Sequence, residues 1–491
     1  MSQKRELVNK CFLFFSVFIN YYMKRLCELI DCVYSVPISG IKTDSRKVQK
    51  GDLFVAVKGY NVDHSLYIND AIEKGAIAVI GEDDNVNINS IYIKVDDINK
   101  TLFNLLSNFY DHIENDFKFI GITGTDGKTT TATITANILD CCYIGTNGVT
   151  YRGKSWNSNN TTPEICDMYD YLVKLKELGC KTVVMEVSSE ALLHGRVDNF
   201  KFDIVCFTNI TEDHLNVHKT LENYISSKKK LFSLVRENGI SILNIDDSNY
   251  LNVKKCCKYN VYSYGKSDNA DFKICKINCQ KNSTNFMIIH KDSTYIINSK
   301  LFGVYNIYNI TLAFTIAYLY GIQSKSIIKK ISDIDSVSGR GEFIDFGQNY
   351  TIILDYAHTY NGIYNIIMNL KNFNYSKIIV VTGAAGGREV EKRSKIGEML
   401  LKNVDYVIFT MDDPRNEDVN KIIDQLTSTT NLNNYERVID RSFAIEKALS
   451  LAKDDYLVLI IGKGRDNYMA VGDEKIPYCD YDVIKSYFID S

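Results

Sequence analysis

The polarity of the chain changes period several times along its length, and each change marks an element. Between Met23 and residue 112, the apolar segments "GDLFVAVKG" and "GAIAVIG" read as short strands on either side of "LYINDAIEKG", whose apolar positions recur at helical spacing. A small α/β unit is predicted there. The run "FKFIGIT" then reads as a buried strand that feeds a glycine-rich loop and the helix-forming "KTTTATITANIL". Further strand-like runs, "KTVVMEVSS" and "FDIVCFTNI", alternate with helical patterns, the rhythm of a mostly parallel sheet with crossover helices. After the polar stretch "SDIDSVSGRGE", a third series begins: "YTIILDY", "SKIIVVTG", "VDYVIFT" and "DYLVLIIG". Spaced by helices, these strands predict a separate doubly wound, Rossmann-like domain. The fold class is therefore α/β in three domains, 23–112, 113–335 and 336–491, behind an extension of residues 1–22.

A length of 491 residues agrees with three domains rather than one core. With 57 basic and 60 acidic residues spread along the chain, the net charge of -3 leaves no footprint for nucleic acid or an anionic membrane. A small-molecule substrate is the better expectation. The 13 cysteines have no paired metal-ligand spacing and read as reduced, mostly buried thiols. The chain is rich in Asn, Ile, Lys and Tyr and has only four prolines, a compositional drift that removes prolines even where relatives would keep them. At the N-terminus, "CFLFFSVFINYYM" follows Lys4, Arg5 and Lys10 but is too short to span a bilayer. An upstream start codon, with Met23 opening the protein, is favoured over a signal or weak anchor, and a cytoplasmic monomer without stable membrane insertion is expected.

Six segments carry candidate chemistry. "GITGTDGKTT" joins a strand to a helix and so offers backbone N–H groups and a positive helix end to an anion, with Lys128 for phosphate oxygens and the Thr129 hydroxyl for magnesium. Its spacing departs from the general phosphate-loop signature. Glu186 ends a buried strand and is either a magnesium ligand or a cap for the next helix. His214 follows another strand, with Lys228 fourteen residues later; spacing alone leaves a core histidine and a solvated basic face as the simpler reading. In the third series, Asp355 and His358 lie at a strand's carboxyl end, where open parallel sheets bind ligands. Arg388 and Arg415 sit where a carboxylate could be clamped, and Lys463 with Asp466 follows the last strand.

Taken together, these residues resemble the Mur ligase family, from about Thr43 to the C-terminus, and its branch that adds the third amino acid to the peptidoglycan precursor. The family's Gly-Thr-Asn-Gly-Lys-Thr loop accounts for the spacing, with Asp126 in place of the usual Asn. The resemblance implies ATP binding by Gly124, Thr125, Asp126, Gly127, Lys128, Thr129 and Thr130, together with Asn306 and Asn309 ("GVYNIYN"), Arg340 ("SGR") and Asp355 ("DYAH"). It implies magnesium on Thr129 and Glu186, a second magnesium on His214, and carbon dioxide taken up by Lys228 as a carbamate, which turns a cation into a carboxylate-like ligand. Lys128, Lys228 and His214 become the catalytic set.

The matches "TDSRKV" and "KGYNVD" imply that Thr43, Ser45, Tyr60, Asn61 and Val62 form the uridine-nucleotide site of the first domain. Asn160, Thr161, Thr162, Ser188, His194 and Arg196 are implied for the muramoyl peptide, with Glu190 where His or Gln is usual. Arg388, Asp412, Asp413, Pro414, Arg415, Gly462 and Asp466 are implied for the incoming amino acid. Ser338, Tyr360 and Ser394 stand where family prolines are common. The partners are then UDP-N-acetylmuramoyl-dipeptide and a diamino acid, joined through an acyl phosphate. Arg415 favours meso-diaminopimelate and L-lysine comes next. A folylpolyglutamate-synthase-like ligase and a non-catalytic nucleotide-binding paralogue are the alternatives.

Overall fold

In the computed structural model, which describes residues 23–57, 64–84, 86, 88–388 and 390–489, three main sheets follow one another along the chain. The first holds four parallel strands in the order Ile41–Lys42, Leu53–Val55, Ala78–Gly81 and Ile91–Lys94. The stretch "LYINDAIEKG" supplies the end of a short 3-10 turn and the helix Ile68–Glu73 between the second and third of these strands.

The central sheet has eleven strands. Its parallel part runs Cys142–Gly145, Thr182–Glu186, Lys118–Thr123, Phe202–Phe207, Val235–Asn244, Asn260–Gly265, Phe272–Gln280. Both faces of its middle strands are covered, which is why they read as unbroken apolar runs. Successive residues still part company: Phe119, Val183, Met185, Val205 and Phe207 enter one core, and Ile120, Ile122, Val184, Ile204 and Cys206 enter the other. The first core continues through the helix Ile98–Phe109 into the N-terminal sheet, so the first and second domains share it.

Antiparallel strands close both edges of this sheet, Gly148–Tyr151 with Lys154–Trp156 on one side and Ser283–His290 with Ser293–Ser299 on the other. These were not expected from the parallel rhythm. Burial alternates strictly along Ser283–His290, the signature of a strand with one face on the core.

The helix Lys128–Leu139 is unusual in being rich in Thr and Ile, residues with restricted rotamers in a helix. Tertiary packing overrides the propensity. Most of its side chains are buried, it lies against the helix Val304–Tyr320, and Thr135 satisfies its hydroxyl on the Thr131 carbonyl at 2.7 Å.

The third sheet orders its strands Glu342–Ile344, Thr351–Asp355, Tyr456–Ile461, Lys377–Thr382, Tyr406–Phe409, Tyr435–Arg437, all parallel except the first. The last long strand in sequence inserts between the second and fourth in space. Chain order therefore reverses beside Asp355, which puts that residue at a topological switch point. Among the described residues no helix is long and apolar enough to cross a membrane, and the cysteines are free thiols. The extension 1–22 lies outside the described residues.

Candidate active site

The glycine-rich loop is folded by close approach. Gly124 has φ +152°, and a Cβ there would stand 1.8 Å from the Thr208 hydroxyl; Gly127 has φ +84°, and its Cβ would stand 2.3 Å from Asn309 Oδ1. A side chain at Gly124 would push the loop off the end of the strand Phe202–Phe207, and one at Gly127 would push it off the helix Val304–Tyr320. The loop is also pinned from the neighbouring strand end: Thr208 Oγ1 donates to the Asp126 carbonyl at 2.7 Å, and Asp126 N donates to Asn209 Oδ1 at 3.0 Å. Lys128 Nζ donates to the carbonyls of Gly124 and Thr125 at 3.0 and 2.7 Å, while burial lowers its pKa. A lysine waiting on neutral carbonyls can be handed to a phosphate without first breaking a strong ion pair.

Behind the loop stands Glu186, fully buried. It accepts from Thr129 Oγ1 at 2.9 Å, Tyr143 OH at 2.6 Å and Thr146 N at 3.0 Å. Its partners hold it facing the helix start, whereas a cap would have to face its own following helix; Ser188 caps that helix instead. Carboxylate and hydroxyl oxygens side by side fit a hard cation such as magnesium.

Lys228 is 2% exposed and donates from Nζ to the Gly124 carbonyl at 2.7 Å, the same acceptor that Lys128 uses. Burial first, and then the charge of Lys128, hold its pKa well below the usual ammonium range. The solvated basic face expected from spacing is thus not where this lysine lies. His214, in a left-handed backbone conformation at φ +54°, places Nδ1 3.5 Å from Glu190 and Nε2 3.3 Å from Asp213. Burial opposes ionisation of Asp213, yet the charges of His214, His358, Lys392 and Lys128 together hold it below the carboxylate range.

The third domain reaches into this arrangement. Arg340 Nη2 donates to Thr129 Oγ1 at 3.0 Å, Thr359 Oγ1 donates to Asp126 at 3.4 Å, and Lys392 donates to the Glu212 carbonyl at 2.8 Å, with Asp213 3.4 Å away. Asp355 faces backbone, accepting from Ala357 N at 2.6 Å. A cavity of about 720 Å³ results. Its walls include Thr125 to Thr130, Glu186, His214, Lys228, Asn309, Arg340 and Asp355 of the expected set, as well as Asn160, Thr161, Ser188, Arg196 and Arg388.

Other expected residues stand one layer back. Gly124 contributes its carbonyl, Asn306 accepts from Asn309 Nδ2 at 3.1 Å, and Thr162 ties the Glu186 carbonyl to Ser188 N. His194 follows the same short helix, its pKa lowered by burial. The loop Asp412 to Arg415 packs on Gly386 and on the segment that follows the strand Tyr456–Ile461: Asp413 accepts from Lys463 Nζ at 2.8 Å and Ala470 N at 2.9 Å, and Arg415 donates to the Gly386 carbonyl at 2.8 Å. Asp412 is buried against Gly462, whose Cβ would stand 2.1 Å from its Oδ2, and burial pushes Asp466 up to about 6. Of the expected amino-acid site, only Arg388 lines the cavity; Asp412, Asp413, Pro414, Arg415, Gly462 and Asp466 do not. Arg388 nonetheless lies near enough to Arg415 to add to the lowering that burial imposes on it.

A second cavity, of about 740 Å³, opens between the first and second domains and is lined by Thr43, Ser45, Arg46, Asp44 and Asn160 among others. Asn160 therefore belongs to both cavities. Tyr60, Asn61 and Val62 lie outside the described residues.

Several residues of the site escaped sequence reasoning. Asp213 and Lys392 had a weak signal, one beside His214 and one a helical turn beyond Arg388. Tyr143 and Asn209 had none, because only their partners in space make them notable.

Comparison with known proteins finds relatives along almost the whole chain. Models described as Mur ligase family, catalytic domain, Mur ligase middle domain, and Mur ligase, glutamate ligase domain match residues 37–110, 122–317 and 339–464. A "UDP-N-acetylmuramoyl-L-alanyl-D-glutamate--2,6-diaminopimelate ligase" of Bacillus cereus is 33% identical over 480 residues, covering 94% of this chain and 98% of the relative. The protein of the same name in Clostridioides difficile is 36% identical over 460 residues, covering 91% and 94%. A solved structure bearing that name superposes with a TM-score of 0.66 at 23% identity, over 95% of this chain and 99% of that one, a likeness of fold. The chain belongs to the Mur ligase family of ATP-dependent ligases.

Proposed function

We propose that the chain joins a diamino acid, meso-diaminopimelate before L-lysine, to UDP-N-acetylmuramoyl-L-alanyl-D-glutamate at the expense of ATP, in the cytoplasm. The observation that carries the reading is the continuity of its sites. Asn160 borders both the N-terminal cavity and the cavity that holds Lys128, Glu186, His214, Lys228 and Arg388. A nucleotide-linked substrate anchored at Thr43 and Ser45 can thus extend its peptide carboxylate to the phosphate loop. The names of the relatives support the same reaction and the same amino acid.

The carboxylate attacks the γ-phosphate of ATP to give an acyl phosphate and ADP, and the incoming amine then forms the amide and releases phosphate. Lys128 and the loop N–H groups hold the phosphates in line. Thr129, Glu186, His214 and Lys228 as its carbamate would hold magnesium, which offsets negative charge on the transferring group. Arg340 and Lys392 bring the third domain against the loop, and Arg388 comes with it to receive the amino acid. The N-terminal cavity beside Thr43, Ser45 and Arg46 disfavours the folate-ligase alternative, which has no use for a uridine-nucleotide site.

Phosphate release from ATP tests the reaction. It should require both UDP-N-acetylmuramoyl-L-alanyl-D-glutamate and a diamino acid, with meso-diaminopimelate the best of a panel. Release with folate and glutamate, and none with the muramoyl substrate, would overturn the assignment.

Asp126 gives a pH-dependent expectation. Burial, and then the charge of Asp213, raise its pKa, so the neutral form persists above the usual carboxylate range. As pH rises through that raised pKa, a negative charge develops beside the phosphates and ATP affinity falls. Asp126→Asn should bind ATP several-fold tighter at the high end and lose this pH dependence, as measured by titration calorimetry. Parallel pH profiles for the two proteins would contradict it.

A further inference from the structure

Glu190 occupies the part of the cavity wall where the phosphate-handling residues meet the third domain. It lies on the short helix Ser189–Leu193, its side chain is 38% exposed, and its carboxylate stands 3.5 Å from His214 Nδ1. Arg388 and Arg196 act on it by charge, and all four residues border the same cavity. Arg196 already has a carboxylate, Glu164, at 2.7 Å. Arg388 and Glu190 thus give one cavity both a positive and a negative group.

That pairing is unsuited to most of what the reaction brings in. The phosphates of ATP, the pyrophosphate of the UDP substrate and the peptide carboxylate are all anions, and a carboxylate repels each of them. The incoming amino acid is different, since it carries a cation and an anion on one carbon. We propose that Glu190 binds the attacking amino group of the incoming amino acid while Arg388 binds its carboxylate, a reading that rests on the ligase function above. His214 Nδ1, 3.5 Å from the carboxylate, holds Glu190 on the cavity wall that Arg388 and Arg196 also border. A charge-assisted hydrogen bond from the amine to Glu190 also fixes the direction from which the amine approaches the acyl phosphate.

Steady-state kinetics separate this from a supporting role behind His214. Glu190→Gln should raise KM for the diamino acid by about tenfold or more. KM for ATP and for the UDP substrate should not move, and the acyl phosphate trapped as its hydroxamate without amino acid should equal that of the unaltered protein. Glu190→Asp, which keeps the charge on a shorter stem, should give an intermediate KM. An unchanged amino-acid KM in Glu190→Gln would overturn the proposal. So would a parallel loss of trapped acyl phosphate, because Glu190 would then serve phosphoryl transfer through His214. If the unaltered protein itself traps no acyl phosphate with the UDP substrate, the ligase reading fails first, and that outcome is visible before any variant is made.

Discussion

Lys228→Ala should lower kcat by about a thousandfold or more, the loss typical when a preorganised charge is removed from a phosphoryl- or acyl-transfer site. The expectation rests on the state of the amine. Lys228 is buried and directed at the Gly124 carbonyl, and burial, then the charge of Lys128, hold its pKa well below the usual ammonium range, which favours the neutral amine. Only a neutral amine adds carbon dioxide; the nitrogen gains the carboxylate and releases a proton. The product sets an anion where the amine stood, and the charge of Lys128 can face it. A carbamate carbon should therefore appear by NMR in protein equilibrated with 13C-labelled bicarbonate and be missing from Lys228→Ala. Removal of carbon dioxide should slow the unaltered protein, bicarbonate should restore it, and the variant should respond to neither. Folding is not at stake, because the Gly124 carbonyl keeps its bond from Lys128 at 3.0 Å. Full turnover in Lys228→Ala would remove the lysine from the site.

Asp480→Ala should destabilise the third domain by about 3–5 kcal/mol, the cost of stranding one partner of a buried ion pair. Arg441 and Asp480 are both fully buried and joined by two bonds of 2.7 and 2.8 Å, and Arg441 Nη2 also donates to the Ile461 carbonyl at 2.9 Å. Burial works against the guanidinium, but the charge of Asp480 and its hydrogen bonds outweigh it and raise its pKa. Without Asp480 the guanidinium keeps the Met411 and Ile461 carbonyls and the charge of Asp412 but loses its paired carboxylate. Since Ile461 precedes Gly462 and Lys463, the loss should spread to the end of the last strand. Calorimetry should show a transition lowered by about 10 °C. Replacing both residues with apolar ones of similar volume, as in Arg441→Met with Asp480→Leu, should recover most of it. An unshifted transition in Asp480→Ala would show that the pair adds nothing to the fold.

The two sets of expected binding residues differed in how well local signals located them. The glycine-rich loop was legible because it is built locally: strand, glycines, lysine and helix start are contiguous, and their order alone sets backbone N–H groups at the head of the helix. The motif of Asp412 to Arg415 was legible as chemistry but not as placement. Asp413 and Arg415 adopt left-handed conformations at φ +44° and +50°, and the loop folds back onto Gly386 and Ala470 instead of lining the cavity. A sequence pattern identifies which side chains can bind; it does not say which of them a neighbouring loop has already engaged.

By itself, the sequence determined the α/β class, the three successive sheets, the buried central strands and the residue types of the site. The first three follow from periodicity and from contacts within a few residues of the chain, whereas His214 and Lys228 entered the site only through the family resemblance of their motifs. Only the tertiary structure decided that Tyr143 and Thr129 meet on Glu186, that Lys228 shares an acceptor with Lys128, that Arg340 and Thr359 reach the glycine-rich loop and the helix start, and that Lys392 reaches Glu212. It also decided that the first two domains share one core and that Glu190 and Arg388 border one cavity. Arg340 and Thr129 stand 211 residues apart in the chain yet 3.0 Å apart in space. No local preference encodes such a distance, because it is set by how whole sheets and helices pack their apolar faces.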